Sequence, residues 1–123
     1  MVDTSVLIDH LRGRREAQQL LNDELQAGEP VFGSVLSKTE VIAGMHPLDE
    51  RVSRTLLDAI IWVEVSNSIA EAAGSLARTH LRSHPGIDVV DFVVAATKDD
   101  LGVPLWTLNV RHFPMFPDLR TPY

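Results

Sequence analysis

The chain has 123 residues, 45% hydrophobic and 23% charged, with 17 acidic against 11 basic side chains, a net charge of -6 and no cysteine. This length and composition make one globular domain, residues 1–123, and exclude a disulfide framework; no apolar run approaches the ~20 residues of a membrane span and no secretory signal opens the chain, so we expect a cytoplasmic protein without membrane contact. So acidic a chain does not grip nucleic acid by bulk attraction, and any contact with RNA or DNA must be local and metal-assisted.

In chain order, VDTSVLID reads as the end of a strand with Asp3 at its tip, followed by a first helix through Leu11. So short an opening strand suggests that the natural start was trimmed or placed late. After RGRR, a helix from Glu16 to Gln26 carries Ala17, Leu20, Leu21 and Leu25 on one face and is ended by Gly28 and Pro30. VFGSV is a second strand. Ser37 then opens a helix through Gly44, with Glu40 three residues in, which is the spacing of a capping box; Pro47 begins another helix to about Ile60. IWVEVS is a third strand, and Ser66 or Asn67 caps a helix from Ile69 to Leu81. Pro85 and Gly86 close that segment, and Asp88 with Asp91 stands in the D-x-x-D spacing of an N-cap and N3 pair. From Val89 to Ala96 only Asp91 is polar, too continuous for a helix with one wet face, so this helix should be mostly buried. Gly102 fits the position past a helix end, VPLWTLN is a short inner strand ending at Asn109, and a proline-rich tail runs from Pro114 to Tyr123.

Strands alternating with helices predict an α/β fold, a three-layer sandwich whose central sheet is mainly parallel and covered by helices on both faces. Sites in such sheets form at the carboxyl ends of the strands, which brings Asp3, Glu40, Asp91 and Asn109 toward one place. Carboxylates at ~4 Å repel by about 1 to 4 kcal/mol per pair, so the cluster calls for a cation, and Mg²⁺ or Mn²⁺ suits oxygen ligands. The chemistry this favours is hydrolysis of a phosphodiester, with in-line attack by a water that the ion activates.

Each residue also has a plainer reading. Asp3 caps the first helix; Glu40 completes a capping box; Asp91 complements a helix dipole, although an acid between Val90 and Phe92 is costly unless satisfied. Asp88 is either the cap of its helix or an acid that accepts from a metal water. Asn109 is a turn residue or a fourth corner of the site, and Ser5 and Thr107 bond to a metal water or to Asp3, or else serve only local helix and strand chemistry. Arg12, Arg14, Lys38 and Arg111, with His112, surround the proposed site and could hold phosphates, or are simply solvated. His80 and His84 lack the glutamate of a metalloprotease helix and read as a solvated helix end, and Trp62 and Trp106 read as core. Leu36, Val41, Ile42 and the helices from Leu48 to Leu57 are candidate interface positions.

Four pieces in order, DTSVLIDHLRG, SKTEVIAG, DFVVAAT and TLNVRHF, resemble the PIN-domain ribonucleases, and most closely the VapC toxins of bacterial toxin–antitoxin pairs. The resemblance spans nearly the whole chain. It implies that Asp3, Glu40 and Asp91 are the acidic metal-binding residues and that Asn109 takes a fourth position often held by Asp, where an amide brings no charge. It further implies Mg²⁺-dependent cutting of structured RNA such as transfer or ribosomal RNA, a homodimer, and inhibition by a small cognate antitoxin. The alternatives are a catalytically inactive PIN-fold binding module and a Mg²⁺-binding receiver-type signalling domain. The latter would want paired acids after the first strand and a lysine after a later one.

Overall fold

The computed structural model describes residues 1–123. Six α-helices, α1 (Thr4–Leu11), α2 (Arg15–Gln26), α3 (Val35–Ala43), α4 (Glu50–Ala59), α5 (Asn67–His80) and α6 (Val89–Leu101), surround a small parallel sheet. Two three-residue strands, β1 (Phe32–Ser34) and β2 (Ile61–Val63), pair in parallel with Gly33 opposite Trp62. The first and fourth expected strands shrink to single residues, Val2 and Trp106, which form one parallel bridge. The backbone nevertheless joins all four: Val2 N–H donates to the Phe32 carbonyl at 2.8 Å, Asp3 N–H to Trp106 at 2.9 Å, and Trp106 N–H to Met1 at 2.9 Å. The spatial order is therefore β2, β1, Val2, Trp106.

Strand side chains alternate between faces, and that alternation divides the core. Val2 and Val31 pack with Val6, Leu7, Ala17, Leu21, Leu56 and Leu57, so α1, α2 and α4 cover one face. Met1 and Leu105, together with Phe32, turn the other way and meet Val94 and Ala95 of α6. Helix α6 then presents Phe92, Val93 and Ala96 to Ile69 and Ala73 of α5. With a sheet on one side and α5 on the other, α6 has no wet face along its middle, which is what its continuous apolar run requires. Trp62 and Trp106 both pack against the first cluster, as core residues.

Local signals were displaced in several places. Ser34, not Ser37, caps α3, its hydroxyl accepting from Leu36 N–H at 3.2 Å; Ser37 lies buried inside the helix, and its hydroxyl has no partner. The capping-box reading of Glu40 falls with it. Pro47 opens a 3-10 turn (Pro47–Asp49) before α4, because His46 Nδ1 accepts from Leu48 N–H and starts the tighter turn. Ser66 caps α5, which begins at Asn67, two residues earlier than expected. Of the candidate interface positions, Val41, Leu56 and Leu57 belong to the core, whereas Leu48 and Val52 are exposed. Gly102 ends α6 in the left-handed region, φ 64°, where a side chain would be strained.

Gly33 is dictated by packing. A Cβ there would fall 2.7 Å from Cζ3 of the Trp62 ring, and that ring is pinned by its Nε1–H donating to the Leu57 carbonyl at 2.8 Å. Gly33→Ala is expected to lower stability by about 1 to 3 kcal/mol through overpacking, measured by urea unfolding; an unchanged midpoint would show that the indole can move aside.

Candidate active site

Beyond the carboxyl ends of the Val2, β1 and Trp106 segments lies a cleft of about 440 Å³. It is lined by five carboxylates, Asp3, Asp9, Glu40, Asp88 and Asp91, with Thr4, Ser5, Asn109, His112 and Arg12. The topology explains the gathering. Asp3 directly follows Val2, Glu40 lies on the helix after β1, Asn109 follows the Trp106 segment, and Asp88 and Asp91 begin the helix that leads to it.

Asp3 holds the N-cap position of α1, yet its side chain makes no cap bond. Its Oδ2 instead accepts from Thr107 Oγ1 at 2.7 Å and Ser5 Oγ at 2.8 Å. Those hydroxyls are fixed in turn: Leu108 N–H donates to Ser5 Oγ at 3.1 Å and Asn109 N–H to Thr107 Oγ1 at 3.0 Å. Asp3 and Thr107 are both buried, so the rotamer of this carboxylate is set by the interior. Glu40 is reached by Thr4, whose Oγ1 donates to Oε2.

Asp88 and Asp91 form a reciprocal capping box. Asp88 Oδ1 accepts from Val90 N–H at 2.9 Å, and Asp91 Oδ2 accepts from Asp88 N–H at 3.2 Å. Asp88 is thus the cap of α6, which resolves its two readings in part: the cap uses one oxygen and leaves the side chain lining the cleft. Asp91 Oδ2 also lies 3.0 Å from His112 Nδ1. Burial pushes the Asp91 carboxyl up from its ordinary value and the Asp3 charge adds to that, while the Asp88 amide and His112 pull it back.

One pattern unites the four acids. Asp3, Glu40, Asp88 and Asp91 each give one oxygen to protein donors, and the other accepts no protein hydrogen bond. As the side chains lie, no three His, Asp or Glu groups close around a common point. An oxygen-only set with open valences and room between its members suits a small hard cation that keeps part of its water shell, as Mg²⁺ does. The donor set therefore fits a divalent ion, with Asn109 able to add a neutral oxygen.

Of the basic residues expected near the site, only Arg12 lines the cleft, along with His112. Arg14 is engaged by Asp9 at 3.6 Å and Glu16 at 3.5 Å, and Lys38 stands 5.5 Å over the Trp62 ring. Arg111 lines a different groove. Sequence reasoning passed over Thr4, Ile8 and Asp9. The signal was present: Ser5, Ile8, Asp9 and Arg12 follow the i, i+3, i+4, i+7 spacing of one helix face, and that face of α1 forms a wall of the cleft.

An acid-lined cleft at the carboxyl edge of a small parallel sheet, with helices on both faces, defines the class. The model of the PIN domain matches residues 1–113, and the chain belongs to that family. Its relatives include ribonuclease VapC19 of Mycobacterium tuberculosis, 42% identical over all 123 residues and 98% of the relative. Ribonuclease VapC10 of the same organism is 40% identical over the whole chain and 92% of its own. Among solved structures, a toxin–antitoxin complex from Klebsiella pneumoniae aligns with a TM-score of 0.78 at 28% identity, covering 99% of this chain and 96% of that one. VapBC-1 of nontypeable Haemophilus influenzae shares the fold, with a TM-score of 0.73 at 23% identity over 98% and 94% of the two chains.

The raised Asp91 value fixes a sign. A carboxyl whose folded pKa lies above its unfolded one favours the folded state while protonated, and that contribution is lost as pH rises through the folded value. In chelator, Asp91→Asn is expected to be more stable than the parent at neutral pH, with the gap closing as pH falls toward the ordinary carboxylate range. Urea midpoints across pH measure it; a gap that grows on acidification would contradict the assignment of burial as the dominant cause.

Proposed function

We propose that the chain is a divalent-metal-dependent endoribonuclease, the toxin of a type II toxin–antitoxin pair, that hydrolyses phosphodiester bonds in structured RNA such as transfer or ribosomal RNA. Asp3, Glu40 and Asp91 hold Mg²⁺ or Mn²⁺, assisted by Asp88 and Asn109. The observation that carries this reading is the set of open carboxylate oxygens facing one cleft. The VapC relatives and the solved toxin–antitoxin complex give its biological setting. A small cognate antitoxin, a homodimer and a cytoplasmic site of action complete the proposal.

The bound ion supplies charge that offsets the phosphate and the leaving oxygen and makes a water nucleophilic at neutral pH. Thr107 and Ser5 hold Asp3 in one rotamer, Thr4 holds Glu40, and His112 with the Asp88 amide holds Asp91. Such positioning matters because a shift of ~1 Å can cost a hundredfold in rate. Ile8, Val90 and Leu108 supply the apolar part of the lining and lower the local dielectric. Arg12, exposed and free of any ion pair, is placed to receive a substrate phosphate at the rim.

The purified chain, free of partner protein, is expected to cut transfer RNA with Mn²⁺ or Mg²⁺ added and to stop when chelator is added. Asp91→Asn should abolish cutting while keeping the circular-dichroism spectrum of the parent. Full activity of that variant with Mg²⁺ supplied would overturn the site, and a folded wild-type chain that never cuts RNA would favour an inactive PIN-fold binding module. Thr4→Val should weaken Mn²⁺ binding by about 10 to 100-fold, the scale for losing a group that orients a ligand, as followed by electron paramagnetic resonance of free Mn²⁺.

A further inference from the structure

Residues 109–113 form a wall with two sides. Asn109 and His112 line the acid cleft, while Val110, Arg111 and Phe113 line a second, shallow groove of about 460 Å³. The 3-10 turn Val110–His112 makes this possible, since its tight winding sends consecutive side chains in widely different directions. The two concavities therefore adjoin across a single turn of backbone.

Their chemistry is opposite. Five carboxylates line the cleft, whereas no acid lines the groove, whose charged and titratable members are Arg111, Arg120 and His84. Another acid-free groove, with Arg51 and His10, lies away from the cleft, but this one adjoins it and carries two arginines. The two arginines are also free of acidic partners. They share this with Arg12 at the rim of the acid cleft, whereas Arg14 is engaged by Asp9 and Glu16. Arg120 Nη1 instead donates to the carbonyls of Pro117 at 3.2 Å and Leu119 at 2.8 Å, which hold the guanidinium in place. Phe113 and Phe116, ring centroids 6.4 Å apart and planes 13° off parallel, line the same groove. Past Arg120 an adjoining hollow brings in Lys98 and a single acid, Asp118.

We propose that this groove is a phosphate-binding subsite for the RNA substrate: the strand whose scissile phosphate enters the acid cleft crosses the Val110–His112 turn and lays its neighbouring phosphates against Arg111 and Arg120. The inference rests on the ribonuclease reading and adds a direction to it. An acid cleft repels a polyanion before the ion neutralises it, so most of the electrostatic hold on RNA must come from beside the cleft. Arginine suits the task because its planar guanidinium can donate two parallel hydrogen bonds to one phosphate.

The test uses the full chain carrying Asp91→Asn, so that RNA stays whole, and fluorescein-labelled transfer RNA as probe in Mg²⁺, followed by polarisation over a range of salt. Arg111→Gln with Arg120→Gln should weaken binding and reduce the slope of log affinity against log salt by about 0.7 for each phosphate that is no longer neutralised. Arg54→Gln with Arg78→Gln, on α4 and α5, makes the same change in net charge outside the groove and controls for bulk attraction. In the otherwise wild-type chain, the groove pair should raise KM more than it lowers kcat. Equal slopes for the groove and control pairs, in a protein whose parent binds and cuts RNA, would overturn the groove alone. A parent that neither binds nor cuts RNA would remove the ribonuclease reading and the groove with it.

Discussion

Crowding of negative charge in one cleft is the constraint to which the rest of the structure answers. Like charges repel more strongly the closer they stand and the less water lies between them, and the cleft gathers five carboxylates. Arg12 stands at the rim and Arg14 takes up Asp9 at 3.6 Å, but neither pairs with Asp3, Glu40, Asp88 or Asp91. For Asp3 and Glu40 the chain uses neutral donors. Thr107, Ser5 and Thr4 satisfy one oxygen of Asp3 or Glu40 without cancelling its charge, and the backbone amide of Asp88 does the same for Asp91. Order is gained and the negative field is kept.

Two helix ends share the load. Asp3 stands at the N-cap of α1 and Asp88 at that of α6, so both helices direct their partial positive ends toward the acids. The two caps differ in use. The Asp88 side chain bonds to an amide of its own helix, whereas that of Asp3 takes no helix amide and accepts instead from the Ser5 hydroxyl and a threonine 104 residues away. Sheet order explains the second choice, since the bridge between Val2 and Trp106 brings the residues that follow each of them side by side.

Much of this was legible in the sequence where the signal was local and periodic. The apolar run of α6, the D-x-x-D box and Gly102 at its end, and the parallel α/β plan could be read from spacing and composition. Ser37 and Glu40 misled because an i, i+3 pair inside a helix has the same spacing as a capping box, and nothing local shows that Ser34 had already started the helix. Strand lengths were overstated because Val2 gains its order from neighbours on both sides and Trp106 from Val2, not from extended runs of their own. The carboxylate partners were beyond local reading altogether: Thr107 to Asp3 and Thr4 to Glu40 depend on chain crossings that only the folded sheet supplies. Lys38 looked close to the site from its separation of two residues from Glu40, yet on a helix such residues point apart, and it rests on Trp62.

The backbone around Asp3 carries one more consequence. Val2 and Asp3 donate to neighbours on opposite sides, Phe32 and Trp106, so the segment bearing the most buried acid is an inner strand tied into both halves of the sheet. Such amides open only when the sheet itself comes apart, at close to the cost of global unfolding. Asp3 therefore has no low-energy way to leave its place in the cleft. Whatever enters the cleft meets this carboxylate already in place, with no rearrangement of its backbone needed to present it.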